Sequence, residues 1–161
     1  MDQVPAMTAT DRSPGRPLAM SATGRRVVAG IVALVCGTVL GIAAWLDPSP
    51  AGLGTHTALG MRECGWILTA DCPCPTCGMT TAFTHAAHGD LVSSFVAQPF
   101  GALLSILTAM ALVVSTYVLC TGSRVGIMIV DLWSRRVGWT LAFALLAAWV
   151  YKIASYKGMI G

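Results

Sequence analysis

Four of the six cysteines, Cys64, Cys72, Cys74 and Cys77, fall within one short stretch of the chain. Thiolates are soft metal ligands and the nucleophiles of disulfide exchange, so a cluster this dense predicts sulfur chemistry rather than packing. Cys74-Pro-Thr-Cys77 is a C-x-x-C pair. At the start of a helix, one of its sulfurs would face exposed amides and the positive end of the helix dipole, which lowers a thiol pKa and favours exchange. Alternatively, Cys64, Cys72, Cys74 and Cys77 could close as four thiolates around a structural metal such as zinc, although C-x7-C-x-C-x2-C is not a standard zinc spacing. Covalent haem attachment requires Cys-x-x-Cys-His, and Gly78 occupies the His position. Cys36 and Cys120 lie in apolar runs and read as small fillers.

The residues after the cluster predict its support. Pro75 suits the first position of a helix, Gly89 suits its end, and Asp90 suits the N-cap of a second helix through Leu91, Val92, Phe95 and Val96. A helix over Pro75 to His88 is two-faced. Cys77, Thr81, Thr84, His85 and His88 share one side, and Met79, Ala82, Phe83, Ala86 and Ala87 share the other. Such a helix either lies at the membrane surface or packs its polar stripe among the spans. His85 and His88 are neighbours on one face and form a separate candidate metal or proton-relay pair. On one continuous helix they stand about 12 and 16 Å along the axis from Cys77, too far to share a metal with it, since metal–ligand bonds are about 2 Å. His56 has no motif around it.

The elements that must carry this loop are membrane spans. The chain has 161 residues, 55% hydrophobic and only 11% charged, with mean hydropathy +0.71. A soluble domain is about 25% charged, so a soluble enzyme and a disordered chain are both excluded. A net charge of +3 is too small and scattered for a nucleic-acid footprint. Uncharged runs predict spans over about 27–46 and 100–121, and a shorter third over about 137–152, with Trp139, Trp149 and Tyr151 as interfacial anchors. The expected fold is an all-α integral membrane protein with about three transmembrane helices. Short interfacial or re-entrant helices occupy the Cys-rich segment 62–98, between the first and second spans. Residues 1–24 read as a disordered leader preceding one membrane domain over 25–161. The first run is longer than a signal-peptide core and lacks a cleavage context, so it reads as a retained anchor.

The basic residues alternate along the chain. Arg12, Arg16, Arg25 and Arg26 precede the first span, Arg62 alone lies in the Cys-rich loop, Arg124, Arg135 and Arg136 follow the second span, and Lys152 and Lys157 lie in the tail. This places the N-terminus in the cytoplasm and the cysteines outside, where disulfides are permitted. The tail is a mild exception. Polar groups inside the spans are few, with no ionisable side chain at mid-depth to mark a transport path.

The run Cys74-Pro-Thr-Cys-Gly-Met-Thr80, then His88-Gly89-Asp90, then Gln98-Pro99 before an apolar helix resembles the bacterial membrane-protein family called domain of unknown function 2752. Cys64 matches its upstream cysteine. The resemblance extends over roughly Cys64 to Cys120. Thr81 stands where the family usually has arginine, and Gln98 where it usually has asparagine, whose amide can still cap a helix. The resemblance implies a small multi-pass protein of a bacterial inner or cell membrane and no particular reaction. It marks Cys64, Cys74, Cys77, Gly78, Thr80, His88, Gly89, Asp90 and Pro99 as motif positions. The sequence reading is thus an extracytoplasmic C-x-x-C loop serving as a structural or metal- or partner-binding element in the lipid bilayer, in contact with other membrane proteins. The alternative is a membrane thiol oxidoreductase in which Cys74 and Cys77 cycle between dithiol and disulfide.

Overall fold

A computed structural model describes residues 21–50, 52–131 and 135–158. Most of the leader expected over 1–24 lies outside them. Every regular element among the described residues is helical. The order is α1 (Ala22–Trp45), a single 3-10 turn (Thr55–Leu59), α2 (Gly65–Ala70), α3 (Met79–Ala87), α4 (Leu91–Ala97), α5 (Pro99–Thr121), α6 (Val125–Asp131) and α7 (Arg135–Tyr156).

Three of these helices are long and apolar enough to cross a membrane, which makes this an all-α integral membrane protein. Helix α1 starts five residues earlier than the uncharged run, because Ser21 caps it by accepting from Gly24 N at 3.0 Å. Its first turns therefore include Arg25 and Arg26. Pro99 opens α5, where its missing N–H is not needed. Gly122, at φ +69°, closes the same helix. The third helix runs beyond 152 to Tyr156.

Helices α1 and α5 pack antiparallel. A Cβ on Gly30 would sit 3.6 Å from Leu119, and one on Gly37 3.8 Å from Leu112, so small residues on α1 admit leucines of α5. At one end of the pair the Arg25 guanidinium donates to Gly122 O at 2.7 and 3.0 Å, satisfying a free carbonyl at the C-terminus of α5. The opposite end carries α2, α3 and α4, joined there by the last turns of α7. The outward faces of the spans are apolar, with Leu34, Val113 and Phe143 among the most exposed side chains.

The cap is built differently. Helix α3 ends in a Schellman turn, in which Asp90 N donates to His85 O and Gly89 N to Ala86 O, both at 3.0 Å, with Gly89 at φ +84°. Asp90 then caps α4 by accepting from Ser93 N at 2.9 Å. Ser94, fully buried, ties the two helices together by donating to Ala82 O at 2.7 Å. Thr81 and Thr84 are also fully buried, so that part of the polar stripe of α3 faces inward, while His88 at its end is exposed. Thr81 and Thr55 hydroxyls meet at 2.8 Å, binding α3 to the 3-10 turn. A Cβ on Gly101 would lie 2.9 Å from Ala82 Cβ, so α3 and α5 approach as closely as that glycine allows.

One helix start differs from the sequence expectation. Residues 75–78 form a turn and α3 begins only at Met79. Cys77 N donates to Cys74 O at 3.0 Å and Met79 N to Thr76 O at 3.1 Å, and Gly78 takes φ +85°. A left-handed residue cannot continue an α-helix, so the C-x-x-C pair lies in a turn ahead of the helix rather than in its first turn.

Candidate functional site

That turn folds the cysteines together. The sulfurs of Cys64, Cys74 and Cys77 all lie within 4.8 Å of one another, and Cys74 Sγ is 3.4 Å from Cys77 Sγ. Cys64 arrives from the residue before α2, its carbonyl receiving Ile67 N at 3.1 Å and Leu68 N at 3.3 Å. The structure therefore gathers three of the four clustered thiols. Cys72 is not among them; its sulfur sits 3.8 Å from Pro73 O, turned along its own backbone.

Environment separates the thiols. Burial, reinforced by hydrogen bonding to Cys64 and Cys74, pushes Cys77 up to about 12. Partial burial would also raise Cys64, but hydrogen bonds from Cys77 and from the backbone at Ile67, Cys74 and Trp66 outweigh it and bring Cys64 down to about 7. The depressed thiol is thus the upstream cysteine and not a member of the C-x-x-C pair. Cys64 receives the hydrogen bond of Cys77 first, and then backbone amides, two of them from the start of α2, whereas Cys77 is enclosed.

The rest of the site anchors the turn. Gln98, fully buried, donates from Nε2 to Pro75 O at 3.0 Å, across the C-x-x-C loop. Its amide therefore does not cap α5; the extended backbone at φ −164° aims it back at the loop instead. Its Oε1 is buried without a hydrogen-bond partner. Trp149 of α7 donates to Pro73 O at 2.9 Å and stands edge-on to Trp66, with ring centroids 6.1 Å apart. Tyr156 donates to Asp71 at 3.1 Å.

Lys152, a tail charge by sequence, is buried at 7% exposure and donates to Ala97 O at 2.7 Å and Gly52 O at 3.2 Å. A Cβ on Gly78 would meet Gly52 O at 2.9 Å, Ala97 O at 3.0 Å and Lys152 Nζ at 3.2 Å. Glycine at 78 thus serves both the left-handed turn and the approach of these three groups. The only sequence signal for Lys152 was a lysine breaking the charge alternation.

The remaining motif residues take structural positions. Thr80 O accepts from Thr84 Oγ1 at 2.7 Å. His88 Nδ1 lies 2.8 Å from Thr84 O, on its own helix, and His85 Nδ1 is 3.8 Å from Asp90. The two imidazoles have separate partners, and neither belongs to the sulfur cluster. Ser93 and the adjacent His85 hold the Asp90 carboxyl below its usual range.

Fold and site together define a three-span α-helical membrane protein with a three-cysteine cluster set in a helical cap at one end. Residues 64–112 match the profile of a family described as protein of unknown function, DUF2752. That segment holds all three clustered cysteines, Gly78, Gln98 and Pro99, and ends before the Cys120 to which the motif resemblance extends. Trp149 and Lys152 lie outside it. No curated protein and no solved structure matches the chain.

Proposed function

We propose that Cys64, Cys74 and Cys77 bind one metal ion as thiolates, making the cap a metal-binding element of the membrane protein. The observation that carries this reading is the convergence of three sulfurs within 4.8 Å. Zinc–sulfur bonds of about 2.3 Å at tetrahedral angles separate sulfurs by about 3.8 Å, so small side-chain movements close the triangle around one ion. A disulfide would use only two of the three. Three protein ligands leave a fourth tetrahedral position for solvent or for a group from a partner membrane protein. The charge alternation supports a cytoplasmic N-terminus with the cap outside. In that arrangement α7 returns to the outer side, so its end reaches the cap.

Native mass spectrometry of the full chain in detergent, reduced and supplied with Zn2+, tests the reading. The expected result is one ion per chain, with Cys64, Cys74 and Cys77 protected from alkylation and Cys72 modified. No bound ion and no protection overturn it. The 3.4 Å approach of Cys74 to Cys77 favours a second reading, thiol–disulfide exchange. There a partner disulfide is reduced to two thiols as this pair closes. That reading requires a Cys74–Cys77 bond that equilibrates with glutathione; a bond resisting reduction below about −300 mV is structural.

A further inference from the structure

We infer that Lys152 is the charge-balancing residue of the metal centre, so that the third span completes a site otherwise built between the first and second. The inference rests on the metal-binding reading and deepens it. Lys152 Nζ donates to the carbonyls of Ala97 and Gly52. Both are neutral. A buried ammonium is costly without an opposite charge, and the carboxylates with described side chains, Asp47, Glu63, Asp71 and Asp90, are all exposed. Nζ also lies against Gly78, the residue following Cys77.

Charge arithmetic then points to the class of ion. A divalent metal displaces three protons from three thiols to solvent and leaves a tris-thiolate complex of net charge −1. The Lys152 ammonium brings the enclosed assembly to zero. Lys152 is a positioning and charge-balancing residue, not a ligand. It shares one face of α7 with Trp149, three residues earlier, whose bond to Pro73 O is an uncharged anchor between the same helix and the same loop. The two contributions can therefore be separated.

The experiment is Zn2+ affinity by chelator competition, on the full chain in detergent, for wild type, Lys152→Gln, Lys152→Arg and Trp149→Phe. Lys152→Gln keeps a donor and loses the charge; it is expected to weaken binding about tenfold or more, in the range of outer-shell substitutions. Lys152→Arg and Trp149→Phe are expected within about threefold of wild type. With saturating Co2+, sulfur-to-metal charge-transfer bands persist in Lys152→Gln, since its ligands are intact. Lys152→Gln binding as tightly as wild type overturns the inference, as does Trp149→Phe losing as much as Lys152→Gln, which would reduce Lys152 to a docking contact. Wild-type protein that binds neither ion overturns the metal-binding reading and this inference with it.

Discussion

The span pair and the cap obey different rules. Between α1 and α5 the contacts are leucine against glycine, and the side-chain hydroxyls bond within their own helix, as Thr38 does to Leu34 O at 2.8 Å and Thr108 to Leu104 O at 2.7 Å. In the cap, polar side chains are buried and join separate segments: Thr55 to Thr81, Ser94 to Ala82, Gln98 to Pro75, Lys152 to Ala97 and Gly52. The spans need only composition and length, because lipid asks of a helix that its backbone bonds be internal. The cap needs particular residues at particular places, because each buried polar group requires a partner. Specific chemistry is therefore expected in the cap and tolerance in the spans.

Matched substitutions sharpen that contrast. The largest effect belongs to a proposed ligand: Cys77→Ser is expected to weaken Zn2+ binding at least about a hundredfold, beyond the effect of outer-shell changes, while Cys36→Ser in α1 leaves it unchanged by chelator competition. Glycines come next. Gly78→Ala combines a left-handed strain of about 1–2 kcal/mol with overpacking against two carbonyls, typically about 1–3 kcal/mol. It is expected to lower the unfolding midpoint in detergent strongly. Gly41→Ala in α1, where a Cβ meets nothing within 4 Å, is expected to be neutral or to stabilise by about 0.5–1 kcal/mol. Equal effects at the two glycines would erase the distinction.

Hydroxyls follow. Ser94→Ala leaves the α3–α4 link unmade and is expected to cost about 1 kcal/mol. Thr108→Ala, which loses only a bond inside α5, is expected to cost a few tenths. Thermal unfolding of the two proteins side by side measures the difference.

The smallest effect is a pH profile. In metal-free, reduced protein the thiolate of Cys64 forms as pH rises, so its alkylation rate climbs through about pH 7 rather than near the ordinary value of 9.0. Cys77, held protonated to about 12, stays unmodified across that range. Peptide-resolved mass spectrometry reads both. Faster labelling of Cys77 than of Cys64 would reverse the assignment of environments.

The same contrast explains what the sequence disclosed. The three long helices were visible because uncharged runs of this length have few other solutions. Asp90 and Gly89 were visible because cap chemistry is local, confined to three or four residues. The C-x-x-C pair stood out by spacing. What failed was non-local. Pro75 fits a first helical position and a turn equally well, so only Gly78 and the carbonyls of Gly52 and Ala97 crowding it decide that the helix waits until Met79. Cys72 looks equivalent to its neighbours until Pro73, fully buried with its carbonyl taken by Trp149, directs the chain past the cluster. Lys152 reads as a tail charge because its partners come from the two ends of the Cys-rich segment. The helix-start argument points to the C-x-x-C pair for a depressed thiol, but the depressed one is Cys64, which the fold brings against Cys77 and which the amides at the start of α2 assist.

Zinc K-edge X-ray absorption of the metal-loaded full chain examines the convergence of the sulfurs on one ion most directly. Three sulfur scatterers at about 2.3 Å, falling to two in Cys77→Ser, are the predicted result. A shell of nitrogen and oxygen alone, unaltered by that substitution, would contradict it.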